Sequence, residues 1–219
     1  MVQRKAHAPK RAVIFDFDGT IADSFDYVLD FLKAEAHDTT AYTAAQKAGL
    51  RQMSMKRMAL RLGVPLWRLP LLYFRGRRVM RQHMEDVLPF QGMEAVVKGL
   101  HTEGYVLFIV SSNSTKNIRH FLRRNGWSAY FKAVRGGAGL AGKTSLIRQL
   151  LLRHRLPKTA TWYVGDETSD VVAAARAGIR CLAVSWGFAD PAKLREVGPE
   201  AFAEHPAQIM ELIGKPWKP

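Results

Sequence analysis

Past Gly92 the spacing of apolar residues switches repeatedly between the helical and the extended period, and this alternation constrains the fold more than any other feature of the chain. Helical spacing runs over 93–100, 116–124, 143–154 and 169–177, and short apolar runs fall at 105–110, 132–135, 161–164 and 179–184. Alternation of this kind builds a parallel sheet covered by helices on both faces. One earlier run, Ala12-Val13-Ile14-Phe15, is cut off by Asp16 and reads as a buried first strand. From Asp23 to about Phe90 the apolar residues recur at helical spacing, broken at Gly49, at Gly63-Val64-Pro65 and at Pro70, so four or five short helices and no strand are expected there. The expected architecture is α/β: a doubly wound parallel sheet formed by residues 1–22 and 90–219, with a small all-helical segment, 23–89, inserted after the first strand. The 219 residues suffice for one such domain and its insert.

Charge is unevenly spread. The net charge is +14, and from Thr39 to Met84 there is no acid but ten bases: Lys47, Arg51, Lys56, Arg57, Arg61, Arg68, Arg75, Arg77, Arg78 and Arg81. The first eleven residues add four more, which together account for the whole net charge. The rest of the surface is balanced, and one segment is intensely positive. No apolar run reaches the ~18–20 residues of a membrane span, and the run behind the basic start is too short for a signal peptide. The single cysteine, Cys181, excludes an internal disulfide framework and a multi-cysteine metal site. A cytoplasmic protein is expected.

In doubly wound sheets, ligands bind beyond the carboxyl ends of the strands, where the winding reverses. Three strand ends carry chemistry here: Asp16-Phe17-Asp18-Gly19-Thr20, Ser111-Ser112-Asn113, and Gly165-Asp166 with Asp170 four residues on. Lys143 opens the helix between the last two. Four acids at strand ends can hold a hard cation such as Mg²⁺, which prefers oxygen ligands. Two acids one residue apart can divide labour if the chain turns between them, as Gly19 permits, one as nucleophile and the other as acid and then base. A serine hydroxyl, a backbone N–H at Asn113 and a lysine ammonium would bind the oxygens of a transferring phosphoryl group. Taken singly, each piece is an ordinary loop or surface residue. Their conjunction, in order at successive strand ends, is what carries weight.

These residues resemble the haloacid dehalogenase-like hydrolases. The family's four motifs have counterparts in Val13-Ile14-Phe15-Asp16-Phe17-Asp18-Gly19-Thr20, Phe108-Ile109-Val110-Ser111-Ser112-Asn113, Gly142-Lys143 before a helix, and Val164-Gly165-Asp166-Glu167-Thr168-Ser169-Asp170. The resemblance covers nearly the whole chain from about Arg11 and is closest to the phosphoglycolate-phosphatase-like branch, with a Rossmann-like core and a helical cap inserted after the first motif. It implies a phosphatase in which Asp16 is the nucleophile and Asp18 the general acid and base. Ser112, Asn113 and Lys143 would hold the phosphoryl group. Mg²⁺ would take Asp16, the backbone carbonyl of Asp18, and Asp166, with Asp170 in support. Dehalogenases of the family lack the second acid, because halide leaves without a proton. Asp18 therefore points to phosphate esters, and a small phosphorylated metabolite is the expected substrate. Phosphomutases keep both acids, so the acceptor stays open.

Gly137-Ala138-Gly139-Leu140-Ala141-Gly142-Lys143-Thr144 also matches the Walker A pattern letter for letter, which would imply an ATP- or GTP-binding protein. Against it, only 75 residues follow Thr144, and the reading leaves Asp16 and Asp18 idle. The basic insert admits three uses: attracting an anionic substrate, meeting solvent, or docking on nucleic acid or a membrane surface. If 75–81 is helical, Arg77, Arg78 and Arg81 share a face bordered by Arg75, and that face is expected to line the cleft. The apolar residues at 66–74 are expected to form the insert's own core.

Overall fold

The computed structural model describes residues 11–138 and 142–214, with the side chains of Leu66 and Leu69 excepted. Most of the basic start and the middle of the Walker-like loop, 139–141, lie outside the described residues. Strand β1 (Ala12–Phe15) leads through β2 (Ala22–Asp23) into the helices α1 (Phe25–Ala36), α2 (Ala44–Arg51), α3 (Met55–Arg61) and α4 (Leu69–His83). After β3 (Leu88–Pro89) come α5 (Met93–Thr102), β4 (Val106–Val110), α6 (Thr115–Arg124), β5 (Phe131–Arg135), α7 (Gly142–His154) and β6 (Thr161–Gly165). The chain continues through α8 (Thr168–Ala177), β7 (Arg180–Val184), α9 (Pro191–Glu196), β8 (Ala201–Ala203) and α10 (Gln208–Gly214).

Six strands form one parallel sheet in the order β5-β4-β1-β6-β7-β8. The chain winds outward from β1 to β5, then returns to the other side of β1 with β6. The reversal lies between β1 and β6, the crevice where a doubly wound fold places its ligand. Period-two alternation splits the sheet's residues between two cores. Val13, Phe15, Leu107 and Ile109 pack on one face, and Ala12, Ile14, Phe108 and Val110 on the other. Both faces are covered, which is why these strands read as unbroken apolar runs.

The inserted helices pack around a cluster of their own, including Phe25, Leu29, Leu32, Met58 and Leu72, into which Phe188 reaches from beyond β7. The sequence suggested no strand in this stretch. The structure instead pairs Ala22 with Pro89 and Asp23 with Leu88 in an antiparallel ribbon where the chain leaves and rejoins the sheet. Two-residue strands are too short for periodicity to reveal.

Two expectations for the basic segment are corrected. First, acids do neutralise part of it, supplied by or beside α1: Asp26 pairs with Lys47, Asp23 with Arg51, and Glu35 with both Arg68 and Arg75. Second, the arginines of α4 do not share one role. Arg78 and Arg81 are exposed, whereas Arg77 is half-buried and lines a cavity with Asp18. Consecutive helical residues lie about 100° apart, so the inward side of α4 is made by positions 72, 73, 76, 77 and 80. The same geometry turns Leu71 and Phe74 outward, at 53% and 58% exposure; Trp67, before the helix, is 79% exposed, and only Leu72 among the apolar residues described at 66–74 joins the insert's core.

Candidate active site

Asp16 directly follows β1, and its N–H donates to Val164 O of β6 at 2.8 Å, which fixes its backbone at the crevice. Its Oδ2 meets Lys143 Nζ at 2.6 Å, and the same ammonium reaches Asp170 Oδ1 at 2.5 Å. Lys143 reaches this point from the first turn of α7, and Asp170 from that of α8. Asp166, just past β6, accepts from Thr20 Oγ1 at 2.7 Å and from the Phe188 N–H at 2.8 Å. A Cβ at Gly19 or Gly187 would collide with the Asp166 carboxylate, and one at Gly165 with Asp170. Glycine is needed at these three positions so that backbone can approach the acids.

Asp16, Asp166 and Asp170 each offer an oxygen within 4.8 Å of the others, and all three are buried. Asp16 Oδ1 has no hydrogen-bond partner. One lysine cannot balance three carboxylates in a dry site. Burial lifts Asp16 from its ordinary 3.8 to about 7 despite the pull of Lys143, with the charge of Asp170 adding to the rise. Burial also pushes Asp166 well above the carboxylate range, and its neighbours Asp16 and Asp170 push it further. For Lys143, burial works against the charge, but Asp16 and Asp170 outweigh it and hold the ammonium protonated. The site is an acidic oxygen cage short of positive charge.

Asp18 sits apart from this cage. Its carboxylate accepts from Ser24 Oγ at 2.8 Å and from Asn113 Nδ2 at 3.1 and 2.9 Å. Burial raises its pKa while these hydrogen bonds pull it back. Asn113 is itself fixed: its Oδ1 accepts from the Ser114 N–H and Asn117 Nδ2, and its N–H donates to Ser111 Oγ. Two carboxylates one residue apart therefore stand in different surroundings, one on a lysine and one on neutral donors.

A family model described as haloacid dehalogenase-like hydrolase matches residues 13–184. The chain belongs to this family. A phosphoglycolate phosphatase of Synechococcus elongatus is 35% identical over 209 residues, spanning 93% of this chain and 97% of that protein. A 5'-nucleotidase of Pseudomonas aeruginosa is 24% identical, spanning 92% and 94%. Among solved structures, a predicted phosphatase from Clostridium acetobutylicum superposes with a TM-score of 0.77 at 19% identity, covering 94% of this chain and 99% of that one, and it shares the fold.

Of the residues singled out from sequence, the fold brings Asp16, Lys143, Asp166 and Asp170 into one cluster and sets Asp18 beside Asn113. Ser112 is half-exposed and borders both the cavity lined by Asp18 and a second, open one of about 400 Å³ lined by Lys143 and Thr144. Asn113, expected to bind phosphate, spends its N–H on Ser111 and its side-chain amide on Asp18. Lys143, the residue a P-loop would aim at a nucleotide, is held by two carboxylates. Sequence reasoning missed Ser24, the Phe188 N–H and the task of Thr20. Thr20 stood in the quoted motif, but nothing in one dimension shows that its hydroxyl reaches Asp166, 146 residues away.

Proposed function

We propose that this hydrolase is a Mg²⁺-dependent phosphatase that cleaves a small phosphate monoester through a phosphoaspartate on Asp16. The observation that carries the reading is the division between Asp16, with one oxygen on Lys143 and the other unpartnered, and Asp18, held separately by Ser24 and Asn113. The donor set fits Mg²⁺: three buried carboxylates, all oxygen, with an orphaned acceptor and excess negative charge. Asp16, Asp166 and Asp170 would hold the ion, with the Asp18 carbonyl, and bound there it would neutralise charge on the phosphoryl oxygens. Asp16 attacks phosphorus, while Lys143 and Ser112, with its loop, bind the equatorial oxygens. Asp18 gives its proton to the leaving oxygen and then takes one from the water that hydrolyses the phosphoaspartate. Asn113 and Ser24 position Asp18.

Residues 23–89 are the cap in this proposal, a reading supported by their separate apolar cluster. The substrate class is supported by the relatives named for phosphoglycolate and for nucleotides. A cytoplasmic location belongs to the same proposal, supported by the unpaired, buried Cys181; no helix of the described residues is long and apolar enough to cross a membrane. A panel of phosphorylated metabolites assayed with Mg²⁺ and with excess EDTA is the test. We expect activity to fall at least about 100-fold in EDTA and to return with Mg²⁺. Undiminished turnover in EDTA overturns the metal assignment.

A second expectation needs no substrate. Asp16 has a pKa near 3.8 when unfolded and about 7 in the metal-free fold, so between those values the native state binds more protons than the unfolded state. Stability of the metal-free protein therefore falls as pH rises from about 4 to 7, and Asp166, shifted the same way, adds to the fall. Asp38, drawn down to about 2 by hydrogen bonds from Thr40 and Tyr42, acts oppositely but only below about pH 4. The metal-free Tm should drop by several degrees between pH 5 and 8. Mg²⁺ should restore most of the loss at pH 8 and little at pH 5. Equal effects of Mg²⁺ at both pH values would contradict an ion seated on these carboxylates.

A further inference from the structure

The inner side of α4 is committed to the rest of the molecule. Tyr73 Oη donates to Ser112 O at 2.6 Å, Asn117 Nδ2 donates to Arg77 O at 3.0 Å, and a Cβ at Gly76 would press on the Phe31 ring. These ties fix the rotation of the helix. Its outer stripe, Leu71, Phe74, Arg78 and Arg81 at spacings of three and four residues, is therefore held toward solvent. Trp67 stands at the head of the stripe, in the 3₁₀ turn (Leu66–Arg68) that runs directly into α4. One exposed apolar residue is ordinary, but a Trp, a Leu and a Phe exposed together mark a surface that meets a partner.

Charge decides what that partner is. No acid lies on α3, on α4 or between them, and the acids in and just before α1 take up Lys47, Arg51, Arg68 and Arg75. Among the described residues the exposed Arg78 and Arg81 form no ion pair, and neither do Arg57 and Arg61 on α3, which packs on the turn that carries Trp67. The partner is therefore both anionic and able to take apolar side chains. A second copy of this chain would set arginine against arginine across a two-fold interface. A nucleic-acid backbone would satisfy the arginines but offer Leu71 and Phe74 nothing. A bilayer with anionic headgroups satisfies both sets, and its interface is where an indole such as that of Trp67 is favoured.

We infer that the outer face of α4 docks the protein on the surface of a bilayer containing anionic phospholipid. Trp67, Leu71 and Phe74 enter the headgroup boundary, and Arg78 and Arg81 lie on the headgroups. The docking is peripheral and reversible, because three inserted side chains and a few charges fall far short of a spanning helix. It stands apart from the phosphatase reading and adds a location to it. The test is co-sedimentation of the full chain, at physiological ionic strength, with vesicles of phosphatidylcholine alone and of phosphatidylcholine carrying about 30% phosphatidylglycerol. Wild type should partition at least about tenfold better onto the anionic vesicles. A chain of net charge +14 adsorbs on any anionic surface to some degree, so the variants are decisive. Combining Trp67→Gln, Leu71→Gln and Phe74→Gln should lower partition onto anionic vesicles by about tenfold or more. Arg78→Gln with Arg81→Gln should lower it by about 10–30-fold. Melting curves check that both variants fold. If wild type leaves the anionic vesicles unbound, binds neutral ones as well, or is matched by the apolar triple variant, the inference fails. Self-association abolished in the triple variant, or RNA binding abolished in the arginine variant, either of them without vesicle binding, would give the face to another partner and overturn it.

Discussion

Asp16→Asn is expected to lower hydrolysis of every phosphate ester by about 10⁴-fold or more while leaving a folded protein that still binds substrate. The amide keeps the shape of the carboxylate but cannot attack phosphorus, and no neighbour can replace it. Asp166 is held by Thr20 and the Phe188 N–H, and Asp170 by Lys143 and the Glu167 N–H. Stability should not suffer, because burial already makes the Asp16 charge unfavourable, as its pKa of about 7 records. Lys143 keeps Asp170 as partner. Rapid mixing with p-nitrophenyl phosphate should show one enzyme equivalent of p-nitrophenol released early by wild type and none by the variant. A variant within tenfold of wild type would remove Asp16 from the chemistry.

The sheet was legible because both its faces are buried. The first strand, 12–15, carries no polar residue to blur the pattern until the acid at the crevice ends the run, and 161–165 has only the buried Thr161 and the Tyr163 hydroxyl before Asp166, so the positions of Asp16 and Asp166 could be read together with the strands that carry them. What failed to show was whatever depends on rotation about a helix or on a side chain's second choice of partner. Ser24 stands at the N-cap of α1, where serine ordinarily accepts from the helix's own N–H groups. Here it makes no such bond and gives its hydroxyl to Asp18 instead. Arg77 and Arg78 are neighbours in sequence, yet one lines the pocket and the other meets solvent. The charge count located the basic segment but not the acids in and just before α1, Asp23, Asp26 and Glu35, which lie before its boundary and take up four of its bases.

Asp18→Asn should separate the two halves of the reaction. An alkoxide leaving group needs a proton, so for alkyl phosphates the variant should lose about 10²–10⁴-fold in kcat, the usual contribution of a positioned acid. p-Nitrophenolate leaves without help, so transfer of its phosphoryl group to Asp16 should survive. Hydrolysis of the phosphoaspartate then lacks the base that draws a proton from water. With p-nitrophenyl phosphate the variant should therefore release one enzyme equivalent quickly and stall, whereas with an alkyl ester it should be slow from the first turnover. The pH profile adds an independent reading. Burial carries the Asp18 carboxyl above its ordinary value, with Ser24 and Asn113 pulling back, so the acid form persists to higher pH than in a free aspartate. The alkaline limb of the alkyl-ester profile belongs to that proton and should vanish in the variant. Equal losses on both esters without a burst would mean that Asp18 shapes the site rather than moving a proton. Ser24→Ala offers the finer measure: with one donor to Asp18 removed and Asn113 still in place, that alkaline limb should move upward, because a carboxylate that loses a hydrogen bond holds its proton longer.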